Sequence, residues 1–261
     1  MSNSPRDPTQ RFTGRAEHYV RGRPHYPQAL LEFCKRELGL KPGDKVADIG
    51  SGTGILSELF LSGGCKVYAV EPNADMREAA ENELAKFPNF HSVNGAAEAT
   101  SLADRSMQFV VAGQAFHWFK RDAARREFSR ILAPGGWAAI VWNQRRIEPG
   151  SFDADYEQLV KQFRTDSAMN HRAMMEKDSQ VMREFFQPGH VQSQQFDNAH
   201  SMDLDGVIAR AFSASNIPLP GQPGCDELMK QLREIFQKHE KNGRVAQESD
   251  TRIFYGRLNN V

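Results

Sequence analysis

Cysteine is scarce in this chain of 261 residues: only three occur, at wide spacing. Three thiols are too few for a disulfide framework, and Cys34, Cys65 and Cys225 lack the close spacing of a zinc site. The histidines also lack the spacing of metal ligands. These are His171, His190, His200 and His239. The sequence therefore predicts no metal and a reducing compartment, the cytoplasm.

Long hydrophobic runs and net charge are absent as well. No segment approaches the roughly 20 apolar residues that a membrane helix needs, and residues 1–15 lack the apolar core of a secretory signal. Lys and Arg together number 33, as do Asp and Glu, so the formal net charge is zero. A neutral chain disfavours nucleic acid and anionic membranes as partners. We expect a soluble monomer or homodimer that acts on a small-molecule substrate.

What the chain does contain is a regular alternation of helices and strands over residues 28–145. The strand segments are apolar on both faces, which is typical of a parallel sheet covered by helices on both sides. The predicted strands are 46–49, 66–70, 90–93, 109–112 and 137–142, the last after a turn at Pro134-Gly135-Gly136. The predicted helices are 28–39, one beginning near Ile55, 74–85 and about 121–132.

Residues 151–258 follow a different pattern, with longer polar helices and fewer strands. Helices are predicted over 152–186, 203–212 and 225–241, and a strand near 191–199. We interpret the whole chain, 1–261, as one domain of the α/β class. Its parts are an N-terminal arm over 1–27, a cofactor-binding core over 28–145, helical cover elements over 151–245, and a last strand over 249–258.

A glycine-rich loop follows the first predicted strand. Glycines at 50, 52 and 54 allow the backbone to turn tightly and approach a ligand, and the next helix offers free N–H groups to it. The spacing differs from the dinucleotide-binding pattern. Glu71 ends the second strand about 20 residues further on, where an acidic side chain can accept hydrogen bonds from ribose hydroxyls. Together these residues indicate an adenosine-containing ligand.

Several motifs resemble those of the class I S-adenosylmethionine-dependent methyltransferases. They are VADIGSGTG at 46–54, VEPN at 70–73 with Met76, and GAAE at 95–98. Two later segments, QAFHWF at 114–119 and RILAPGG at 130–136, are similar to the type 11 small-molecule group, which includes trans-aconitate methyltransferase-like proteins. The resemblance implies a doubly wound, Rossmann-like, mostly parallel seven-stranded sheet with helices on both faces and a helical substrate cover. It also implies S-adenosyl-L-methionine as methyl donor.

The resemblance assigns roles to residues of this chain. Asp48 is expected near the amino group of the methionine moiety, Glu71 at both ribose hydroxyls, and Gln114 beside the methionine part. Met76, Ala97 and Glu98 are expected around the adenine. The full predicted cofactor set is Tyr19, Arg23, Asp48, Gly50, Ser51, Gly52, Glu71, Pro72, Met76, Ala97, Glu98 and Gln114. The chain departs from relatives at Gln108, where Asp is common before the strand.

The N-terminal arm interleaves cations and aromatic residues between Arg11 and Tyr26 without a helix-face pattern. A solvated arm is one interpretation. In similar proteins the stretch that corresponds to Phe12 through 27 folds over the cofactor, so we predict a lid that includes Tyr19 and Arg23 and excludes water.

His117 follows the fourth predicted strand, at the edge where open α/β sheets bind ligands. It is the candidate general base or substrate hydrogen-bond partner; the alternative is that it orients the loop or packs on the cofactor. Methyl transfer from a sulfonium requires mainly alignment of the nucleophile. A carboxylate acceptor needs no base and favours an arginine clamp, with Arg21, Arg23 or Arg145 as suspects. A phenol, amine or activated carbon would favour His117.

Two other functions remain open from the sequence. An NAD(P)-dependent oxidoreductase on a related sheet is disfavoured by the glycine spacing and by Ala97-Glu98. A non-catalytic S-adenosylmethionine-binding protein that acts as a sensor or assembly partner would carry the same motifs. The acceptor, the methylated atom and the oligomeric state are not predicted by these motifs.

Overall fold

A computed structural model describes residues 14–164 and 180–258 of the chain, and these contain one seven-stranded sheet. The strands are β1 (Lys45–Ile49), β2 (Lys66–Val70), β3 (Phe90–Val93), β4 (Met107–Gly113), β5 (Leu132–Arg145), β6 (Gln192–Met202) and β7 (Val245–Gly256). Their order across the sheet is β3-β2-β1-β4-β5-β7-β6. Strands β1 to β5 pair in parallel, and β7 pairs antiparallel with both β5 and β6. The predicted α/β, mostly parallel seven-stranded fold is confirmed.

Helices surround this sheet. They are α1 (Ala16–Gly22), α2 (Gln28–Leu38), α3 (Ile55–Ser62), α4 (Ala74–Leu84), α5 (Arg121–Ile131), α6 (Phe152–Phe163), α7 (Leu204–Phe212) and α8 (Cys225–His239). Residues 180–186 are also helical. Among the described helices, none is long and apolar enough to cross a membrane.

The central strands separate two apolar cores because their side chains alternate between the faces of the sheet. On one face, Val46 and Phe109 pack with buried residues of α2 and α3. On the other, Ala47 and Val110 pack with α5 and with the helical residues 180–186. A strand buried on both faces needs apolar residues at successive positions, which explains the apolar run 109–112 in β4. In β1 the buried Asp48 interrupts the apolar residues.

A third apolar cluster holds the cover elements together. It joins α6, α7 and α8 through residues such as Tyr156, Val207 and Leu232, and it reaches the sheet at Val245, the first residue of β7. The three helices therefore form a layer with its own small core beside the antiparallel pair β6 and β7.

Several predicted boundaries were wrong. Helix α6 ends at Phe163 rather than continuing to 186, and residues 165–179 of that prediction lie outside the described residues. Strand β5 begins at Leu132, so the predicted 134–136 turn lies within it, where the register with β4 shifts. The last strand begins at Val245 instead of 249, because antiparallel pairing with β6 continues to that residue. Strand β6 itself runs to Met202, past the predicted 199.

The arm also differs from its prediction. Residues 16–22 form α1, although their sequence has no helix-face pattern; residues 11–13 lie outside the described residues. The cause is packing against α7. The Arg15 guanidinium donates to the carbonyls of Phe212, Ala214 and Ile217 at 2.7, 2.7 and 2.9 Å, which satisfies acceptors at the end of α7. Tertiary contacts therefore stabilise a helix that the sequence pattern alone does not predict.

Gly22 lets α1 approach α7 closely. A Cβ built at Gly22 would lie 2.3 Å from the Arg210 backbone nitrogen. We expect Gly22→Ala to lower the free energy of unfolding by about 1–3 kcal/mol, because the two backbones must separate. Urea denaturation measures this. Glu17→Ala, at an exposed position of the same helix, should change stability by less than about 0.5 kcal/mol; equal effects of the two variants would contradict close packing as the cause.

Candidate functional site

The described residues enclose a cavity of about 550 Å³ at the carboxyl ends of β1, β4 and β5. Strands β1 and β4 are neighbours in the sheet, although β2 and β3 lie between them in sequence. This is a topological switch point, where open α/β sheets bind ligands. Helices α1, α6 and α7 close the cavity from the other side, through Tyr19 and Arg23, Tyr156, and Arg210.

The glycine loop forms one wall of this cavity. Gly50, Gly52 and Gly54 all have positive φ, at 68°, 56° and 84°. A Cβ built at Gly52 would meet nothing within 4 Å, so the cavity wall is bare backbone at this point. The Gly52 N–H donates to the Glu71 carboxylate at 3.0 Å. The loop is therefore held against the end of β2 by the residue that was predicted to bind ribose.

Asp48 lies at the end of β1 and is completely buried. Its Oδ2 accepts a hydrogen bond from the Ser57 hydroxyl at 2.7 Å, whereas Oδ1 has no hydrogen-bond partner among the described residues. Burial raises the pKa of Asp48 to about 7, with a smaller contribution from the Glu71 charge and with the Ser57 hydrogen bond opposing the shift. An unpartnered buried carboxylate oxygen that faces a cavity is suited to a cationic or hydrogen-bond-donating ligand group.

Glu71 uses its two carboxylate oxygens for different backbone groups. Oε2 accepts from Gly52, and Oε1 accepts from the Asn73 N–H at 2.9 Å. Burial raises the pKa of Glu71, and these two hydrogen bonds oppose the shift. Each oxygen can accept a second hydrogen bond. The carboxylate is therefore oriented by the backbone and still has acceptor capacity for hydroxyl groups.

The structure brings only part of the predicted cofactor set together around the cavity. The lining residues from that set are Tyr19, Arg23, Asp48, Gly50, Ser51, Gly52 and Gln114. The remaining predicted residues, Glu71, Pro72, Met76, Ala97 and Glu98, do not line it.

Those remaining residues lie around α4 and the loop after β3. Met76 and Ala97 are buried, and Glu98 accepts a hydrogen bond from the Lys120 N–H at 2.7 Å. Their predicted adenine contacts stay a prediction. Gln108, the departure from relatives, accepts from the Lys45 N–H at 2.9 Å and so aligns the start of β1.

His117 does not line the cavity. Its ring stacks on Trp142 with centroids 5.5 Å apart and lies 4.5 Å from the Trp118 ring. Trp142 itself is a lining residue, so the histidine lies behind the cavity wall. This placement favours the packing role, and proton transfer by His117 stays an unsupported prediction.

Among the charged residues that line the cavity, cations outnumber carboxylates, and most of the cations form ion pairs with carboxylates of the chain. Arg145 contacts the Glu157 carboxylate and lies 3.6 Å from Asp153. Arg146 contacts Asp197 and Asp250. These pairs set the positions of the side chains and leave little excess charge.

Arg23 and Arg210 are different, because neither forms a salt bridge with a carboxylate in the described part of the chain. Arg23 donates to the Ser213 carbonyl at 3.3 Å and lies over the Tyr19 ring at 4.7 Å. Arg210 donates to the Gly22 carbonyl at 3.4 Å. Burial lowers the pKa of Arg210 to about 9, with smaller contributions from the charges of Arg23 and Arg145 and with the charges of Tyr156 and Asp153 opposing the shift. The cavity therefore holds an excess of positive charge at one end.

Several lining residues were not predicted from the sequence, above all Tyr156, Arg164 and Arg210. A signal for two of them was present, since Tyr156, Val160 and Arg164 recur every four residues and so share one face of α6 and its end. No local pattern marks Arg210, because its position depends on how α7 packs against α1. Of the three suspected arginines, Arg23 and Arg145 line the cavity. Arg21 instead forms an exposed pair with Asp205 at 2.9 Å.

Comparison with known proteins identifies the part of the chain that builds the glycine-loop side of this cavity. Residues 47–140 match the family model of a methyltransferase domain. An uncharacterized methyltransferase of Schizosaccharomyces pombe is 33% identical over 128 residues, which is 49% of this chain and 50% of the relative. One from Mycobacterium bovis is 34% identical over 145 residues, 56% of this chain and 57% of the relative.

The chain thus spans about half the length of the curated relatives it matches.

The similarity to solved structures extends over more of the chain than the similarity in sequence does. A crystal structure of an S-adenosylmethionine-dependent methyltransferase from Geobacter sulfurreducens, in complex with S-adenosyl-L-homocysteine, covers 96% of this chain and 98% of its own, with a TM-score of 0.55 and 17% identity. At that identity the likeness concerns the fold. The match over residues 47–140 supports the predicted class I methyltransferase assignment, and the comparisons do not show the trans-aconitate-like subgroup.

The residues of the methyltransferase domain fit S-adenosylmethionine. The unpartnered Asp48 Oδ1 suits the amino group of its methionine part, and the buried Ser51 hydroxyl, which also has no partner among the described residues, offers a second hydrogen bond. The bare backbone at Gly52 leaves room for the ligand, and Glu71 has acceptor capacity for the ribose. No group of three or more metal-ligating side chains occurs among the described residues.

The raised pKa of Asp48 predicts a pH-dependent penalty in the free protein. In the unfolded chain the carboxyl ionises near its ordinary value of 3.8, and in the fold at about 7. Between these values the folded state binds more protons, so the contribution of Asp48 to stability falls as the pH rises toward 7. Asp48→Asn removes this term while keeping an acceptor for Ser57.

We therefore expect the stability of Asp48→Asn relative to the natural protein to increase by about 2 kcal/mol from about pH 5 to about pH 8, without ligand. Urea denaturation at several pH values measures it. The same comparison for Asp226→Asn, at an exposed position of α8, should show no such trend. A flat difference for Asp48→Asn would mean that the carboxyl is ionised at low pH in the fold.

Proposed function

We propose that this protein is an S-adenosylmethionine-dependent methyltransferase that methylates a carboxylate oxygen of a small acidic acceptor. The methyltransferase domain supports the donor. The single observation that supports the acceptor class is the pair of cavity guanidiniums, Arg23 and Arg210, neither of which forms a salt bridge with a carboxylate of the described residues. Arginine binds planar carboxylates through two parallel hydrogen bonds.

The chemistry needs little from the protein besides alignment. When bound, S-adenosylmethionine supplies an electrophilic methyl group on a positively charged sulfur. A carboxylate oxygen that attacks in line forms the new O–C bond as the C–S bond breaks, and the bonding pair stays on sulfur. The products are a methyl ester and S-adenosylhomocysteine. No proton moves, so no general base is required, which agrees with the position of His117 outside the cavity.

Different residues of the chain bind the donor and cover the cavity. Asp48 and the glycine loop hold the methionine part, and Glu71 holds the ribose. Tyr19 and Arg23 are carried over the cavity by α1, which Arg15 fastens to the end of α7. This arrangement supports the lid interpretation of the arm, because it excludes water from the reacting groups. The proposed unit is the single domain 1–261, with 151–245 as substrate cover.

An acidic acceptor is compatible with the trans-aconitate-like subgroup that the sequence resembles. The second candidate function is a non-catalytic sensor with the same donor site. It predicts that S-adenosylmethionine binds but that no methyl group is transferred. An NAD(P)-dependent oxidoreductase is disfavoured, because the match over residues 47–140 is to a methyltransferase domain.

Binding of the demethylated product tests the donor site directly. At about 100 times its dissociation constant, S-adenosylhomocysteine should stabilise the fold by about 2.7 kcal/mol and raise the Tm accordingly. S-adenosylmethionine should do the same, and NAD(H) should not. Glu71→Ala should abolish the shift, because it removes both the ribose acceptor and the anchor of the glycine loop.

The matched control for Glu71→Ala is Glu78→Ala, at an exposed position of α4, which should keep the full shift. Differential scanning fluorimetry and isothermal calorimetry provide the readouts. Stabilisation by NAD(H) in place of S-adenosylhomocysteine would refute the proposed donor.

The nature of the product tests the acceptor class. Methyl-labelled S-adenosylmethionine, incubated with the protein and a fraction of small organic acids, should give a labelled product that mild alkali hydrolyses to methanol, as expected of an ester. His117→Phe, which keeps an aromatic ring beside Trp142, should lower kcat by less than about tenfold. Loss of a general base costs about 100-fold or more, so a fall of that size, or an alkali-stable product, would favour a proton-bearing acceptor instead.

A further inference from the structure

The two edges of the seven-stranded sheet differ in length. The edge strand β3 has only four residues. The other edge strand, β6, has eleven, and all of them pair with β7 in one continuous register. Within the described ranges β6 has a strand on one side only, so the backbone N–H and C=O groups of its outer edge face no other strand. A long edge of this kind can pair with another chain.

The first half of β6 lacks the features that usually protect an edge strand. Such strands commonly carry charged side chains, proline or a bulge. Residues 192–196 contain neither a charge nor a proline, and their pairing with β7 has no shift in register. The one acidic residue of β6, Asp197, contacts Arg146. Gln192 to Gln195 are exposed. This half of the edge is therefore open to pairing.

An aromatic groove of about 370 Å³ lies beside the same half of β6. Gln192 and Gln194 line it, so it lies next to the strand edge. Arg36 and Glu37 of α2 line it as well and form an exposed ion pair with each other at 2.6 Å. Apolar surface beside an open edge is typical of an interaction site. The aromatic side chains of the groove pack edge to face, and they are Phe33, Trp137, Phe196 and Tyr255.

The chemistry of residues 192–196 favours a second copy of this chain as the occupant. When a strand pairs with its own copy about a two-fold axis, the side chain at the axis lies opposite itself, so a charge there would meet a like charge. Gln and Ser side chains both donate and accept hydrogen bonds and therefore complement themselves. The groove carries one positive and one negative side chain, Arg36 and Glu37, so it brings no net charge against its copy.

We propose that residues 192–196 and the aromatic groove form a homodimer interface, in which the β6 strands of two copies pair antiparallel about a two-fold axis at Gln194. This register places Phe196 opposite Gln192 of the second copy, and Asp197 opposite its Val191, so no like charges meet. The two grooves then lie on one face, and the two seven-stranded sheets become continuous. The groove and the cavity share no lining residue, so the inference does not rest on the proposed function.

Charges placed at the two-fold axis test this register. Gln194→Lys and Gln194→Glu each put a charge against its own copy, which should raise the dissociation constant of the dimer at least about tenfold. An equimolar mixture of the two variants should dimerise again, because the charges at the axis are then opposite. Sedimentation equilibrium of the full chain from about 1 to 100 μM measures the mass, and the natural protein should approach twice the chain mass at the top of this range.

Gln237→Lys is the matched control, because it makes the same change of charge at an exposed position of α8. It should keep the dimer. All three variants alter exposed side chains, so their Tm values should stay within about 2 °C of that of the natural protein. Hydrogen exchange is the second readout. The amides of residues 192–196 should exchange more slowly in the concentrated natural protein than in the dilute one, and rapidly at both concentrations in Gln194→Lys.

Three results would overturn the interface. A natural protein that stays monomeric up to about 100 μM, with rapid exchange over residues 192–196, would leave the edge and the groove to an unlike partner. A dimer that persists in both Gln194 variants would place the contact between copies elsewhere on the molecule. A mixture of the two variants that stays monomeric would exclude the two-fold axis at Gln194.

Discussion

The hydrogen bond between the Gly52 N–H and the Glu71 carboxylate joins the ends of the two strands on which the site is built. The Gly50 and Ser51 N–H groups also donate to the Val70 carbonyl, at 2.8 and 3.2 Å, so the loop is held to the end of β2 at more than one point. The Glu71 carboxylate extends this connection, because it also accepts from the Asn73 N–H at the start of α4. One side chain thus orients the glycine loop, the strand end and the following helix, and still presents acceptor capacity outward.

We call the side of the cavity formed by Asp48, the glycine loop and Glu71 the donor side, after the role proposed for it. Much of the donor side could be predicted from sequence because its parts are close together in the chain. The strand, glycine loop, helix and acidic strand end lie within about 30 residues, and each is local in its physical cause. The strands β1 and β4, the glycine loop and the acidic residue at the end of β2 follow from such short-range patterns, and the role of Asp48 is implied by the resemblance to methyltransferases. We call the opposite side, formed by Arg23, Tyr156 and Arg210, the acceptor side, again after its proposed role. It could not be predicted from local patterns, because these residues come from three separated segments of the chain. Only the packing of α1 on α7, and of α6 in the third apolar cluster, brings them together.

The two sides of the cavity also use charge differently. On the donor side, a buried carboxylate lacks a partner for one oxygen and has a pKa raised to about 7. On the acceptor side, a guanidinium without a carboxylate partner has a pKa lowered to about 9. Each group lies in surroundings that disfavour its charged form, and each faces the same cavity. The fold tolerates both because the methyltransferase domain and the cover elements have separate apolar cores that supply stability.

The place of β7 in the sheet has a consequence for how the molecule is assembled. It follows β6 in the chain but lies between β5 and β6, and it pairs with both in antiparallel register. During synthesis, β6 therefore emerges with no neighbour to pair with, and its edge and that of β5 stay open until β7 arrives. Asp250 of β7 then reaches Arg146, and the cavity wall is completed. A nascent chain can form the donor half early, whereas the acceptor half depends on long-range pairing, which is slow and leaves strand edges exposed to aggregation.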